Sequence, residues 1–133
     1  VNTAILEAFL EKLEELGISP ALPVAWPGIN LDPPDSGMWL EVLFFPNETE
    51  NVAWGADAPV NAKGFFQVSV FYRPGIGQIQ PSAIADLIIA HYPKGLKFIG
   101  DVGVIKKPWQ SPAVTGSDRL FIPVSIPYSG LLK

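Results

Sequence analysis

The sequence predicts an α+β fold: a mixed, mostly antiparallel β-sheet with two helices packed on one face. Three observations carry this expectation. Apolar residues recur at helical spacing in two segments, and they alternate with period two in several others. The order of the segments, α-β-β-α-β-β, is that of helices layered on an antiparallel sheet. The 133 residues suit one domain, taken as residues 1–133, with enough buried surface to need no covalent staple.

The first helix is expected over residues 3–16, where Ile5, Leu6, Phe9, Leu10, Leu13 and Leu16 share a face. Asn2 or Thr3 can cap its start, and Gly17 followed by Pro20 reads as its end. Glu7, Glu11, Glu14 and Glu15 fill the polar face, and carboxylates near a helix C-terminus oppose the dipole. Such a face is read either as solvated or as meeting a basic neighbour. Residues 20–35 are proline-rich and extended, with a short strand near 24–26.

A strand follows over residues 38–45, apolar on both faces and so expected to be central and covered. Residues 47–62 form a long polar loop, in which 52–54 pair briefly. The next strand spans 64–72, with Phe66, Val68, Val70 and Tyr72 on one side. A turn at 73–80 holds Gly75 and Gly77. Pro81 then opens the second helix, which runs to residue 91 or 92 and stops at Pro93. Ile84, Leu87 and Ile88 form its expected core stripe. Ala83, Ala85, Ile89 and Ala90 carry apolar surface further round, so a second subunit is expected to cover part of it. Strands at 96–99, 102–106 and 119–128 complete the chain, with a loop at 108–118. Pro123 and Pro127 lie on one face of the last strand, which is therefore expected at a sheet edge.

Charge is unevenly placed. Residues 1–60 hold ten carboxylates and one base, Lys12, whereas residues 61–133 hold three carboxylates and eight bases. The imbalance is either chance or a pair of complementary faces. A net charge of −4 does not suit nucleic-acid binding, although an acidic wall suits a conduit that DNA passes through. Mean hydropathy is +0.27 with 17% charged residues, which points to apolar surface buried by partners. No signal peptide or membrane-length apolar run is read.

Chemistry is sparse. There is no cysteine and one histidine, His91, so no transition-metal site and no cofactor is expected. His91 sits at a helix C-terminus without a nucleophile or orienting acid in sequence reach, and a structural or surface histidine is expected. Asp32 with Asp35, and Glu48 with Glu50, read as solvated loop acids. Gly75-Ile76-Gly77 imitates a dinucleotide turn, but Gln80 stands at the third glycine position. Trp26, Trp39, Trp54 and Trp109 are not interleaved with bases, so packing is expected of them.

Several stretches together resemble one family. They are Pro23-Val24-Ala25-Trp26, residues 37–46, Gly64-Phe65-Phe66-Gln67-Val68-Ser69-Val70-Phe71 and Pro74-Gly75-Ile76-Gly77. His91-Tyr92-Pro93-Lys94-Gly95 and Ile122-Pro123-Val124-Ser125-Ile126-Pro127-Tyr128 follow. In this order, over nearly the whole chain, they resemble the tail terminators of phages with long non-contractile tails. The resemblance implies a non-enzymatic α+β subunit of a hexameric ring in the virion neck, assembled in the host cytoplasm. That ring caps the tail tube, stops its polymerisation and meets the head-completion proteins. DNA passes through its lumen without specific binding, and no membrane is involved. The chain departs from the family where relatives carry bases before the Gly-Phe strand; residues 55–62 hold only Asp57 as a charge.

Candidate subunit contacts are Ala85 and Ile89 on the second helix, Glu7 and Glu11 on the first, and Pro123 on the last strand. Candidate contacts to tube or head are Glu50, Trp54, Asp57 and Trp109 in the two long loops. The rival readings are another neck or tube component, and a small-ligand domain using the turn at 75–80.

Overall fold

In the computed structural model the described residues are 2–16, 23–28, 37–47, 50–51, 60–116 and 118–132. The element order is α1 (Asn2–Glu14), β1 (Val24–Ala25), β2 (Met38–Pro46), β3 (Glu50–Asn51), β4 (Val60–Tyr72), α2 (Ile79–His91), β5 (Lys97–Ile99), β6 (Val102–Val104), β7 (Trp109–Gln110), β8 (Val114–Thr115) and β9 (Leu120–Leu132). The strands join in one sheet ordered β1-β2-β4-β9-β6-β5, with β3 beside β4 and both β7 and β8 beside β9. β1 runs parallel to β2 and every other pairing is antiparallel. The α+β expectation therefore holds.

The period-two alternation does what it predicts. Leu40 and Val42 of β2, Phe66, Val68, Val70 and Tyr72 of β4, and Ile122, Val124, Ile126 and Tyr128 of β9 are buried in one core. The register places Leu40, Val70 and Ile122 in one row and Phe44, Phe66 and Ile126 in another. Ile5, Phe9 and Leu13 of α1 and Ala85 and Ile88 of α2 join the same core, so both helices lie on this side of the sheet. Phe9 stacks on Phe66 at 3.8 Å between ring centroids and on Tyr92 at 4.7 Å; Phe44 stacks on Phe66 at 4.7 Å. The two helices are also tied directly. Tyr92 Oη donates to the Phe9 carbonyl at 3.1 Å, and His91 Nε2 donates to the Lys12 carbonyl. The Lys12 carbonyl belongs to the last turn of α1, where intrahelical donors run out, because Leu16 N–H goes to the Leu13 carbonyl instead. His91 is thus the structural histidine the sequence implies, and burial holds the Tyr92 phenol above its ordinary range and protonated.

Several boundaries and environments differ from expectation. Asn2 is already helical, so neither Asn2 nor Thr3 is the cap; that position, Gly17 and Pro20 lie outside the described residues. The 52–54 pairing also lies outside them. β4 starts at Val60, four residues early, because its weak β-formers are held opposite residues 129–132 of β9. α2 starts at Ile79, with Pro81 in its first turn, where a missing N–H costs nothing. Its core stripe is Pro81, Ala85 and Ile88; Leu87, expected inside, is half exposed.

The largest correction concerns β9, which is central and not an edge. It pairs with β4 along its whole length and with three short strands on its other side. The prolines explain this division. Val114, Trp109 and Gly103 sit opposite Phe121, Ser125 and Ser129, which keep their N–H groups. Pro123 and Pro127 fall between them and offer only carbonyls, accepting from Ser111 N at 2.9 Å and Ile105 N at 3.3 Å. A flank with gaps in its donors supports two- or three-residue ladders rather than one long partner. Residues 108–118, expected as a loop, therefore supply β7 and β8.

β4 must also pass close to β2. A Cβ on Gly64 would stand 2.5 Å from the Phe45 carbonyl oxygen and 2.8 Å from Tyr128 Oη. Gly64→Ala is expected to lower stability by about 1–3 kcal/mol through overpacking, read as a reduced urea midpoint with unchanged slope.

Candidate functional site

The side of the sheet opposite α1 and α2 is built from the odd-numbered residues of β2, β4 and β9. Register sets them in rows: Trp39, Phe71, Phe121 and Val114; Leu43, Gln67, Ser125 and Trp109; Phe45, Phe65 and Pro127. No described helix packs here. β2 is central, as expected, but its second face is only partly covered. Trp39 is buried, whereas Leu43 is 37% and Phe45 40% exposed. Phe45 stacks on Phe65 at 4.8 Å, and Trp39–Phe71–Phe121 form a stacked series at 5.4 and 4.8 Å.

Arginines close one end of this face. Arg73 and Arg119 lie over the Trp39 ring, 5.0 and 5.7 Å from its centroid. Asp118 bridges them at 3.3 and 3.2 Å. Its hydrogen bond from Arg119 holds the Asp118 carboxyl below the ordinary range, with the charges of Arg119 and Arg73 acting the same way. Trp109 is 43% exposed, with Lys106 Nζ 5.1 Å from its ring centroid.

A second apolar surface lies on the outside of α2 and the turn before it. Ile79 is 87% and Leu87 50% exposed, and Ala83 and Ala90 are also exposed. Gln110 anchors the helix to β7 by donating to Asp86 at 2.9 Å and accepting from Ser82 Oγ at 3.2 Å. A groove beside α2 is lined by Asp86, Ile89, Ala90, Pro93, Lys94 and Lys107.

The candidate contacts are not all placed where the sequence put them. Ala85 is fully buried inside the chain's own core and cannot reach a neighbour; the phase of α2 differs from the expected stripe. Ile89 is half buried against that core and lines the groove. Glu7 and Glu11 are exposed on α1. Pro123 is half buried on the helix-free face, its carbonyl taken by Ser111. Glu50 lies in β3 opposite Asn61, and Trp109 lies in a strand rather than a loop. Trp54 and Asp57 lie outside the described residues, as do Asp32, Asp35 and Glu48. Sequence reasoning missed Leu43, Phe45, Val114 and Leu87 as surface. The signal for the first two was the two-sided apolar pattern of β2, with only two helices available as cover.

Reaction chemistry finds little support in this geometry. Among the described residues no three His, Asp or Glu side chains gather as a metal site. Gly75 and Gly77 have φ of 101° and 81°, the left-handed values that glycine adopts without strain. The strand before them, β4, is flanked by antiparallel β2 and β9, so the parallel βαβ setting of a dinucleotide turn is not formed. No helix among the described residues is long and apolar enough to cross a membrane.

A small α+β unit whose developed surfaces are two apolar faces, flanked by paired charges, has the character of an assembly subunit. The family comparison agrees: the model of the phage tail terminator protein family matches residues 4–128, and the chain belongs to that family. It is a structural protein of the phage tail. One solved structure superimposes with a TM-score of 0.80 at 27% sequence identity, covering 100% of this chain and 96% of that one. No curated protein matches it in sequence.

Two outcomes follow from this placement. Leu87→Asp, which loses half a leucine's burial and some helix preference, is expected to cost about 1–2 kcal/mol of folding stability, whereas Ala85→Asp buries an unpaired charge and costs more than about 3 kcal/mol. Paired denaturation curves check this. For Asp118 the folded carboxyl is the stronger acid, so its contribution to stability is complete above the ordinary carboxylate pKa. It fades as pH falls through the lowered folded value. NMR titration should place Asp118 below a reference aspartate, and Arg119→Ala should move it back up.

Proposed function

We propose that the chain forms a ring at the end of the tail tube, stops tube polymerisation and presents the joint to the head-completion proteins in the neck. The match over residues 4–128 carries this reading. The apolar surface left exposed on two sides of the fold supports it, because only a neighbour can remove that surface from water. A hexamer is the ring size that the family resemblance implies. The ring assembles in the host cytoplasm, and DNA passes through its lumen without sequence readout. The subunit acts by binding, without a catalytic centre or cofactor, as one domain spanning residues 1–133. Glu50, Trp54 and Asp57 are the proposed contacts to tube or head, whereas Trp109 shares the helix-free sheet face with Leu43 and is proposed for contact between subunits.

The test is negative-stain imaging of the same phage's tail-tube protein polymerising with and without this chain. Tubes capped at one end by a single added ring, and arrested in length, are the expected result. Unchanged tube length with no added ring would remove the terminator reading. Long tubes made of this chain itself would assign it to the tube instead.

A further inference from the structure

The exposed large apolar residues of the described chain are not scattered. Leu43, Phe45, Trp109, Val114 and Leu131 lie on the helix-free face by strand alternation and register. Ile105, whose N–H donates to the Pro127 carbonyl, continues that face beyond β6. The remainder, Ile76, Ile79 and Leu87, lie on α2 or the turn leading into it. The molecule thus has two apolar patches on opposite sides of one sheet.

Charge is also uneven between the two sides, with an acidic face on α1 and more bases than acids on the helix-free side. The helix-free side carries Arg73 and Arg119 over Trp39 and Lys106 over Trp109, with Lys63 further along β4, against Glu41 and Asp118. On the helical side, α1 exposes Glu7, Glu11, Glu14 and Glu15, and its Lys12 is paired with Glu15 at 3.5 Å. The groove beside α2 adds Lys94 and Lys107 next to apolar walls, a setting for an apolar side chain that arrives beside a carboxylate. On the sheet face, Glu41 stands two residues from Leu43 on the same side of β2.

We propose that subunits meet head-to-tail, with the outer stripe of α2 and the acidic face of α1 in one copy lying on the helix-free sheet face of the next. This rests on the ring reading and assigns its faces. A two-fold contact between like faces would bury one patch, leave the other in water and set like charges together. A head-to-tail contact buries both patches at a single interface and pairs opposite charges, and such contacts close into rings when the rotation allows.

The absence of cysteine makes cross-linking the direct test. Phe45→Cys and Leu87→Cys are made separately and together, assembled on tail tubes, and treated with a short bismaleimide. Dimers are expected when the two single variants are mixed, with neither alone rising above background. The double variant should give a ladder ending at the covalently closed ring. Dimers from Phe45→Cys alone would overturn the proposal in favour of a like-face contact. Capped tubes with no cross-link in the mixture or the double variant would overturn the face assignment and leave the ring reading standing. Failure of the unmodified chain to cap tubes would instead remove the ring reading and this inference with it. Leu43→Cys with Ala83→Cys forms a second pair, so loss of folding in one pair leaves the other to decide.

Discussion

The stack of rings from Phe44 through Phe66 and Phe9 to Tyr92 is the contact on which the rest of the fold depends. It passes through four elements or their ends: β2, β4, α1 and the residue that closes α2. Each buried ring contributes on the order of 1.5–3 kcal/mol from burial alone, and stacked pairs add to this. The neighbouring bonds work with it. Tyr92 donates to the Phe9 carbonyl and His91 to the Lys12 carbonyl, so the ring that fills the core also orients the end of one helix on the other. α1 is a short helix, marginal by itself in water, and its place is fixed by what Phe9 inserts between. Once both helices are held on one side, the other side of the sheet is left without helical cover.

A second constraint comes from the two prolines of β9. They remove alternate donors from one flank while the β4 flank stays continuous. The result is an asymmetric central strand, with a thirteen-residue ladder on one side and three short pieces on the other. The arrangement has a consequence for the surface. Because successive residues of a strand point to opposite faces, Gln110 turns inward to hold α2 by Ser82 and Asp86 while Trp109 turns outward. One short strand therefore fixes the position of α2 and presents an aromatic side chain on the opposite face. The two apolar patches are mechanically linked through β9 and β7, not merely present on the same molecule.

This also explains which features were legible in the sequence. The alternation in β2, β4 and β9 and the helical repeat of α1 were readable because one face of each is uniformly apolar, and burial follows such patterns directly. The stripe of α2 was misread because Ile84, Leu87, Ile88 and Ile89 surround the helix. With little contrast in hydropathy, the phase is decided by where Pro93 and Tyr92 anchor its end and where Gln110 grips its side. The position of β9 was misread because proline does exclude a regular ladder, but sequence does not show that three short strands can fit between the gaps. The start of β4 was missed because Val60, Asn61, Ala62 and Lys63 are ordered by their partner strand, not by their own preference. The candidate contacts inherited these errors: Ala85 moved inside with the phase of α2, and Trp109 moved from a loop to a strand.

Leu43, Phe45 and Leu87 raise a question that folding alone does not answer. Their buried halves serve the single subunit, as the Phe45–Phe65 stack shows, but that leaves 37–50% of each side chain in water. The surface they still expose can be buried only by a neighbour, where removing apolar surface from water contributes about 25 cal/mol per Å² before the costs of association. One large, flat apolar patch would favour indiscriminate association of free subunits. Dividing that surface between two opposite faces, each broken by charged residues, keeps either patch small in the monomer while leaving both available when neighbours are placed side by side. The bridge from Asp118 to Arg73 and Arg119 fits the same logic. It holds the guanidiniums over Trp39, and so covers with charge the part of the aromatic face nearest the arginines.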